Sequence, residues 1–553
     1  MVRFLSGVLN ILDQKERARL FLLTFLDVFI SALDITFLGL SVLVINFYIK
    51  TTSLPYLSFL PRSLADQNSI LLISIFFILF GIKNIIAYRV SSAQYSFIYG
   101  VASRLSKRNI LRYLREDYLK YVNVDSSVYI HKISHQPIEF STYILTNLQQ
   151  IISQSVLILF TVIAILIYHA SLFLLLFLLL MPAVVVLGWV LKTKLKQVRQ
   201  NIKKASANTL KNLKEALAGY VESNIYDKDQ FFVDRYYHQQ NQLNQNIRIQ
   251  QTLQGLPLRL IEVFAIFGFF ILIVINKWSA HNATVDLLTI GIFMAAAYKI
   301  IPGVVKILNS AGQMKTYEFT INDLSVPATE VKIIVPRQAE NIEAIRFEKV
   351  HFKYTGHRVL DGLSFELSPG DFAGISANSG RGKTTLINIL LGFIEPQEGM
   401  VSINNHVTQK NERQSYWSRI SYIKQQPFFI HDTLVKNVVL DNGYDAGKLN
   451  EVISFCGLDA ILNLHTDGIN LVITENGKNL SGGQRQRIML ARALYHGFDL
   501  LILDEPFGEI DQQSENAILE KLQLLAKQGK IVIFITHNQA SLLFCNKLIA
   551  IDD

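Results

Sequence analysis

The sequence predicts a multi-domain protein, with an all-α domain of six membrane-spanning helices followed by a soluble α/β domain. Long apolar stretches separated by basic loops fill the N-terminal part, whereas the C-terminal part carries a glycine-rich loop between an apolar run and a helical pattern. A chain of 553 residues is also too long for one typical domain. Hydrophobicity falls and prolines interrupt the pattern between the two parts, so we expect domains at 1–310 and 344–553 joined by a linker at 311–343.

Six apolar stretches are long enough, or nearly so, for a bilayer that needs roughly 20 residues. They lie at 20–48, 69–90, 151–168, 172–191, 258–276 and 285–308. Basic residues are concentrated between these stretches at 91–145 and 192–250, as the positive-inside rule expects for cytoplasmic loops. This distribution accounts for the net charge of +9, and we therefore expect no nucleic-acid partner. The two cysteines, Cys456 and Cys545, indicate neither a disulfide framework nor a metal site.

The glycine-rich loop at 374–385 reads G-I-S-A-N-S-G-R-G-K-T-T. Its end, Gly382-Lys383-Thr384, fits the P-loop pattern, in which backbone N–H groups, a helix N-terminus and a lysine bind the β- and γ-phosphates of a nucleotide. Thr384 is predicted to hold Mg²⁺ through its hydroxyl. Ala377 replaces the first glycine of the pattern, and we expect this change to be tolerated unless the position needs a positive φ. Taken alone, such a loop could also be an ordinary turn.

Two further motifs follow the loop in the chain. Residues 500–503 form an apolar strand pattern that ends in Asp504 and Glu505, which suits a carboxylate on Mg²⁺ and a carboxylate that polarises the attacking water. Between the loop and this strand lies Leu480-Ser481-Gly482-Gly483-Gln484. The three motifs in this order resemble the ATP-binding cassette (ABC) family, whose signature is LSGGQ. The resemblance implies an α/β P-loop NTPase fold that binds ATP and Mg²⁺.

The resemblance also implies roles for residues outside these motifs. Tyr354 is placed where the family stacks an aromatic ring on adenine, Gln425 matches the glutamine that touches Mg²⁺, and His537 matches the switch histidine at the γ-phosphate. An exposed strand tyrosine is the alternative for Tyr354. Asp511 matches the D-loop acid of the family, although the residues before it differ from the usual serine-alanine-leucine.

The residues expected in the site fall into three groups. The catalytic group is Glu505, His537 and Gln425. The Mg²⁺ group is Thr384, Gln425 and Asp504. The nucleotide-binding group comprises Tyr354, Asn378, Ser379, Gly380, Arg381, Gly382, Lys383, Thr384, Thr385, Gln425, Ser481, Gly482, Gly483, Gln484, Asp504 and Asp511.

One cassette is not sufficient in this family, because the P-loop of one cassette faces the signature motif of another across the ATP. The resemblance therefore implies a second copy of this chain or a homologous half-transporter as partner. Since Lys383, Ser481 and Glu505 are all intact, a homodimer with two working sites is the favoured expectation. ATP would close the two cassettes and switch the spans from inward-facing to outward-facing.

The loops at 91–145 and 192–250 have helical periodicity and few glycines or prolines, so the spans are predicted to continue as helices beyond the membrane. The second span would then run from 69 to about 116, some 70 Å at ~1.5 Å per residue. This reach resembles the exporter-type ABC fold, in which short coupling helices rest on the ATPase domain. By that resemblance the coupling helices are expected at 118–129 and 224–230.

Four ionisable residues lie inside the predicted spans, where charges are costly and often functional. Asp34 and Lys83 fall at equal depth in the first two spans, and Glu262 and Lys299 do so in the last two, so each pair could form an ion pair. A structural ion pair and direct substrate contact are both open. Arg89 and Arg259 are candidates for drawing in an anionic head group.

The spans are loosely similar to those of bacterial lipid-linked oligosaccharide flippases. We therefore expect an ATP-hydrolysing exporter or flippase of an amphiphilic substrate, in contact with membrane lipid, in a bacterial cytoplasmic membrane with the ATPase domain in the cytoplasm. A peptide or drug exporter of the same architecture is an alternative, although we expect no processing peptidase before the first span. An ATP-gated channel or regulatory subunit is an alternative of another class. A soluble ABC ATPase would not explain six apolar spans.

Overall fold

The computed structural model describes residues 2–49, 70–168, 170–278, 287–325, 340–354, 357–376 and 381–551. These residues divide into two compact units. The first comprises Met1–Glu116 and Asn123–Glu330, and the second comprises Asp117–Val122 and Val331–Asp553. The short segment at 117–122 thus groups with the C-terminal unit, although it lies within the N-terminal part of the sequence.

Helices make up the N-terminal part wherever the structure describes it. They are α1 (Val2–Ile11), α2 (Gln14–Ile49), α3 (Leu71–Leu114), α4 (Tyr118–Asn123), α5 (Ser126–Ile130), α6 (Gln136–Phe140), α7 (Thr146–Tyr168), α8 (Ala170–Ala218), α9 (Tyr220–Ile225), α10 (Asp229–Trp278), α11 (Leu287–Thr316) and α12 (Glu318–Leu324). Two π-helical turns, His131–His135 and Ser141–Leu145, connect α5, α6 and α7 into one helical run.

Three helical stretches in the described part of the chain are long and apolar enough to cross a membrane: Gln14–Ser41, Leu71–Leu114 and Ser126–Ile163. They contain most of the first three predicted spans. Helices α8, α10 and α11 run through the other three, at 172–191, 258–276 and from residue 287 onward. Many side chains in those last spans, including that of Lys299, lie outside the described set.

The predicted long second helix is observed as α3, whose 44 residues correspond to about 66 Å at ~1.5 Å per residue. The expected coupling segment at 118–129 contains two short helices, α4 and most of α5. The expected segment at 224–230 is displaced, because the short helix α9 begins at Tyr220 and ends at Ile225. Gly219 precedes α9, and a left-handed Asp227 with a φ of 51° makes the turn into α10. Position 224 is therefore near the end of the short helix.

The core of the first unit joins its first helix to its last. Val8 and Ile11 of α1 are at most 2% exposed, and they belong to the same apolar cluster as Ile321 and Leu324 of α12. Gly7 permits this contact, since a methyl group on its Cα would fall 2.8 Å from a side-chain carbon of Ile321. Residues 311–324, which the sequence assigns to the linker, therefore continue the helical unit as the end of α11 and as α12.

The second unit contains two main sheets and a small one. Its strands are β1 (Ile345–Tyr354), β2 (His357–Leu367), β3 (Phe372–Ser376), β4 (Glu398–Ile403), β5 (His406–Val407), β6 (Ile420–Ile423), β7 (Asp432–Thr433), β8 (Val472–Ile473), β9 (Leu500–Asp504), β10 (Ile531–Ile535) and β11 (Lys547–Ala550). An antiparallel sheet has the order β2-β1-β4-β5, a parallel sheet has the order β11-β3-β10-β9-β6, and β7 pairs with β8.

Helices cover both faces of the parallel sheet. They are α13 (Lys383–Leu390), α14 (Lys410–Ser415), α15 (Leu434–Val439), α16 (Ala446–Phe455), α17 (Asp459–Leu464), α18 (Gly482–Tyr495), α19 (Gln512–Lys527) and α20 (Gln539–Leu542). Alternate residues of β9 enter different cores: Leu500 and Ile502 pack with α13 and the antiparallel sheet, whereas Leu501 and Leu503 pack with α15 to α19. All five residues of β9 are buried, as is typical of a central parallel strand.

The parallel register brings distant parts of the sequence to one edge. Ile535 of β10 pairs with Ile375 of β3 and with Asp504 of β9, and Ile423 of β6 pairs with Leu503. The carboxyl ends of four strands therefore meet. Ligands of open α/β sheets bind at this edge, and the residues that follow these strands are the ones that the sequence motifs single out.

Candidate active site

Four of the sequence-predicted residues meet at the carboxyl edge of the parallel sheet. Nζ of Lys383 donates to Oε1 of Glu505 at 2.9 Å and lies 2.7 Å from Nε2 of His537. The same His537 nitrogen is 2.7 Å from Oε1 of Glu505. Nε2 of Gln425 donates to the other carboxylate oxygen of Glu505 at 2.7 Å. Glu505 is therefore the common partner of the lysine, the histidine and the glutamine.

The backbone holds Glu505 in an unusual conformation. It directly follows β9 with a φ of 49°, which is the left-handed region that non-glycine residues rarely adopt, and its N–H donates to the carbonyl of Ile535. Such backbone strain is found where a functional side chain must be aimed away from its strand. Partial burial raises the pKa of Glu505, but the hydrogen bond and charge of Lys383, with His537, outweigh burial and lower it.

Asp504, one residue earlier, has the opposite electrostatic environment. Its side chain is buried, and the pKa of Asp504 is raised by that burial and by the neighbouring charge of Glu505. The hydroxyl of Tyr422, in β6, donates to Oδ2 of Asp504 at 3.4 Å. Burial and the charge of Asp504 in turn raise the pKa of the Tyr422 hydroxyl, so it remains a hydrogen-bond donor at neutral pH.

The described end of the glycine-rich loop leads directly into α13. Gly382 has a φ of 96°, and a methyl group on its Cα would fall 2.7 Å from the carbonyl oxygen of Val359, so both conformation and space require glycine there. Lys383 and Thr385 are buried, whereas Thr384 is exposed on the first turn of α13. The structure does not describe four residues of this loop, Ala377, Asn378, Ser379 and Gly380. The expectation that Ala377 is tolerated unless its position needs a positive φ therefore stays a prediction.

The signature residues form the N-terminus of α18. Oγ of Ser481 accepts from the N–H of Gln484 at 3.3 Å, and Oε1 of Gln484 accepts from the N–H of Ser481 at 2.8 Å. This reciprocal pair is a capping box, which fixes the start of the helix. Within the described residues, no hydrogen bond or ion pair joins these side chains to Lys383 or Glu505.

Two other predicted residues have local partners. Tyr354 ends β1 with 44% of its surface exposed, and its ring meets that of Phe352 edge-on at 5.0 Å. Asp511 caps α19, because its Oδ1 accepts from the N–H of Ser514 at 2.9 Å, and this bond lowers the pKa of Asp511. Arg381 is exposed beside Gly382.

The predicted ion pair between Asp34 of α2 and Lys83 of α3 is present. Lys83 is only 7% exposed, and its Nζ bonds to Oδ1 of Asp34 and lies 4.9 Å from the centre of the Phe80 ring. Glu262 is half exposed and lies 3.6 Å from Arg259, one helical turn earlier. Its expected pairing with Lys299 falls on a side chain outside the described set.

Three residues near the site were not identified from the sequence. Tyr422 precedes Gln425 in an alternating strand, and this pattern does not distinguish a core tyrosine from one that contacts Asp504. Glu509 lies against the signature helix. The only sequence signal for this position was that the residues before Asp511 differ from the usual serine-alanine-leucine. Tyr118 lies in the expected coupling segment, but its partners depend on packing alone.

Tyr118 attaches the 117–122 segment to the second unit. Its ring stacks on Phe393 at 4.9 Å with an angle of 30°, and its hydroxyl accepts from Nδ2 of Asn388 at 3.4 Å. Asn388 belongs to α13, the helix that starts with Lys383. An ion pair between Lys410 and Asp117 adds a second attachment and lowers the pKa of Asp117. The segment thus contacts the helix that begins with the P-loop lysine.

Comparison with known proteins finds similarity in the part of the chain that carries most of this site. The ABC transporter family model matches residues 360–508. A Rickettsia bellii protein named for export and an ATP-binding/permease role is 34% identical over 38% of this chain and 37% of its own length. The ATP-dependent lipid A-core flippase of Paraburkholderia xenovorans is 26% identical over 62% of this chain and 58% of its own. The chain therefore matches between 37% and 58% of the length of these curated relatives.

A solved structure extends the comparison to nearly the whole chain. A bacterial Atm1-family ABC exporter with ATP bound superposes with a TM-score of 0.75, covering 97% of this chain and 94% of that protein at 17% identity. This match confirms the predicted fold class, a helical membrane domain followed by an α/β nucleotide-binding domain. The chain carries an ABC transporter domain, and its fold is that of an ABC exporter.

Proposed function

We propose that this chain is one half of an ATP-driven ABC exporter or flippase. Two copies would hydrolyse ATP and move an amphiphilic substrate, a lipid-linked glycan or another lipid, out of the cytoplasmic leaflet. The observation that carries the proposal is the meeting of Lys383, Gln425 and His537 on the carboxylate of Glu505. A glutamate, a lysine and a histidine at the end of a parallel strand suit hydrolysis of a phosphoric anhydride.

The chemistry follows from how Glu505 is held. In the proposed reaction its carboxylate polarises the attacking water and accepts a proton from it. Lys383 is shared between that carboxylate and any phosphate that binds the P-loop, so phosphate binding draws the ammonium away and raises the proton affinity of Glu505. Gln425 and His537 would then keep the carboxylate in its strained orientation.

The donor set suits Mg²⁺. This hard cation prefers oxygen ligands and is typically held by one or two carboxylates together with the phosphates of the substrate. The exposed hydroxyl of Thr384, the carboxylate of Asp504 and the amide oxygen of Gln425 supply such ligands. Among the described residues, no cluster of three or more His, Cys, Asp or Glu is arranged to hold a metal ion. When bound, Mg²⁺ would neutralise phosphate charge.

The second copy is part of the proposal. Ser481, Gly482 and Gly483 start a 14-residue helix whose N-terminus favours anions, and they make no bond to Lys383 of their own chain. A second copy would bring its signature helix to the γ-phosphate that this P-loop holds. Residues 378–385, Tyr354 and Asp511 are proposed as the remaining nucleotide contacts, with the adenine on Tyr354.

Two observations support the substrate class. Relatives named as lipid A-core flippases cover 62% of this chain, and the partly buried Asp34–Lys83 pair gives the first two spans a polar point within an apolar surface. We place the membrane domain at 1–310 together with its continuation through α12 to Leu324, the ATP-binding domain at 344–553, and their connection in the remainder of 311–343. The proposed location is a bacterial cytoplasmic membrane with the ATPase domain in the cytoplasm.

Reconstitution tests the proposal directly. The purified full-length chain in proteoliposomes should hydrolyse ATP in the presence of Mg²⁺ and move a fluorescent glycolipid from the leaflet on the cassette side to the other leaflet. Glu505→Gln should abolish both activities and retain bound ATP. Glu520→Gln, an exposed change on α19, is the matched control. ATP hydrolysis without lipid movement would redirect the substrate to a peptide or drug, and unchanged hydrolysis in Glu505→Gln would contradict the assigned chemistry.

A further inference from the structure

The carboxylate of Glu509 lies directly against the first glycine of the signature helix. A methyl group placed on Cα of Gly482 would fall 1.5 Å from Oε2 of Glu509 and 2.4 Å from its carboxyl carbon. Any other residue at position 482 would force the Glu509 side chain to move. The carboxylate of Glu509 therefore occupies the space that a side chain at position 482 would fill.

One further contact holds the carboxylate in this position, and two others hold its backbone against the helix. Nη2 of Arg485 donates to Oε2 of Glu509 at 3.1 Å, and the backbone N–H of Glu509 donates to Oε1 of Gln486, also at 3.1 Å. A methyl group on Gly483 would fall 3.3 Å from the carbonyl oxygen of Glu509, so the loop backbone also touches the helix. The loop is thus attached along the first turn of α18.

The chemistry of the position makes this contact consequential. A helix N-terminus carries partial positive charge and stabilises a nearby anion. Glu509 provides such an anion from within the same chain, with its side chain 55% exposed and one arginine as its partner. A phosphate that approaches Gly482 and Gly483 would meet both the negative charge and the bulk of this side chain. The carboxylate and the phosphate compete for one location.

We propose that Glu509 determines the nucleotide affinity of the signature motif. Its carboxylate must leave Gly482 before the γ-phosphate of a nucleotide held by a second copy reaches this helix, and Arg485 limits the electrostatic cost by pairing with it. This inference rests on the proposed function, because it concerns nucleotide shared between two copies. In addition to the residues that bind ATP, it identifies one whose charge opposes closure of the two copies on the nucleotide.

Replacing the charge tests the inference. Glu509→Gln keeps the size of the side chain and removes its charge, so the ATP concentration for half-maximal hydrolysis by the full-length chain in nanodiscs should fall about threefold to tenfold. Added salt should shrink that difference, because the carboxylate is partly exposed. Glu520→Gln removes a charge from the exposed surface of α19 and should leave the half-maximal concentration unchanged. Glu509→Asp keeps the charge on a shorter side chain and should give an intermediate value.

The outcomes separate this inference from the proposed function. If the wild-type chain hydrolyses ATP and Glu509→Gln has the same or a higher half-maximal ATP concentration, the inference is wrong while the proposed function stands. If the wild-type chain neither hydrolyses ATP nor binds it with a second copy, both fail. Should Glu509→Gln not fold, the comparison of Glu509→Asp with wild type decides, since an unchanged half-maximal ATP concentration in that variant contradicts competition at Gly482.

Discussion

The hydroxyl of Tyr422 donates to Oδ2 of Asp504 at 3.4 Å, and this bond joins the strand before Gln425 to the acid that is proposed to hold Mg²⁺. Tyr422→Phe removes only the donor. We expect Mg²⁺-dependent ATP hydrolysis to fall by about threefold to tenfold, the effect of losing a hydrogen bond worth about 0.7–1.4 kcal/mol, with the Mg²⁺ requirement shifted to higher concentration. Steady-state hydrolysis against Mg²⁺ concentration measures this.

Tyr416→Phe is the matched control for Tyr422→Phe. Tyr416 packs against the same apolar cluster from the neighbouring 3₁₀ turn. Loss of the Tyr416 hydroxyl should leave the Mg²⁺ concentration needed for ATP hydrolysis unchanged. Equal effects of the two variants would show that the hydroxyl of Tyr422 serves folding, not the site.

Asp504→Asn and Glu505→Gln should change stability in opposite directions. Burial and the charge of Glu505 raise the pKa of Asp504, so the folded protein binds this proton more tightly than the unfolded chain. This contribution to the free energy of unfolding is present at acid pH and is lost as pH rises through the folded pKa. Asp504→Asn should therefore raise the Tm at pH 7.5 by about 2–4 °C, the shift that ~1 kcal/mol gives a domain of this size.

Glu505, the neighbouring carboxylate, is the control for Asp504. The hydrogen bond with Lys383 lowers the pKa of Glu505, so its contribution is present above the unfolded pKa and is lost as pH falls. Glu505→Gln should therefore lower the Tm at pH 7.5, and this difference from wild type should narrow only as the pH falls below the unfolded carboxyl pKa. The difference for Asp504→Asn should narrow earlier, as the pH falls through the raised folded pKa of Asp504. Thermal unfolding of the full-length chain across pH measures them. A stabilising Glu505→Gln would contradict the favourable pairing with Lys383.

The ring of Tyr118 should matter more than its hydroxyl. Tyr118→Ala removes the stack on Phe393 and the bond from Asn388, whereas Tyr118→Phe removes only the bond. With the alanine variant we expect basal hydrolysis within about twofold of wild type, but stimulation by transported lipid reduced at least about threefold, because the attachment of the coupling segment is lost. The phenylalanine variant should retain most of the stimulation. A full response to lipid in Tyr118→Ala would exclude this attachment as the coupling contact.

The Asp34–Lys83 pair should behave as a structural pair. Lys83 is the buried partner, so Asp34→Asn alone, which leaves its charge unpaired, should cost about 3–5 kcal/mol of stability. The double variant Asp34→Asn with Lys83→Met should return to within ~1 kcal/mol of wild type, because no charge is left unpaired. Thermal unfolding in nanodiscs measures both. A double variant that is stable but cannot move lipid would assign the pair to substrate contact instead.

The sequence predicted the centre of the site because parallel strands bring their carboxyl ends to one edge. Lys383, Gln425 and Glu505 are far apart in the chain, but each follows a strand of the same sheet, and the motifs mark those strand ends. The contact of Glu509 with Gly482 could not be predicted in this way. It depends on how a loop folds over a helix, and a glycine in a signature motif already has an explanation.

The helical part was predicted less completely than the centre of the site, because the positions of some helices depend on local backbone geometry. Apolar length identified α2 and α3, whereas the position of α9 is set by Gly219 and by a left-handed Asp227, which leave no mark in hydropathy. Equal depth in the first two spans correctly predicted the pairing of Asp34 with Lys83. Equal depth did not predict the contact of Glu262 with Arg259, which lies one turn away on the same helix.

The central claim is that ATP is clamped between Lys383 of one copy and Ser481 of another, and mixed dimers test it. When one copy carries Lys383→Ala and the other carries Ser481→Arg, one of the two shared sites still has both an intact Lys383 and an intact Ser481. When one copy is wild type and the other carries both changes, each shared site has one defect. Dimers purified through two different tags should hydrolyse ATP faster in the first arrangement than in the second. Equal rates, or faster hydrolysis in the second arrangement, would contradict a site shared between two copies.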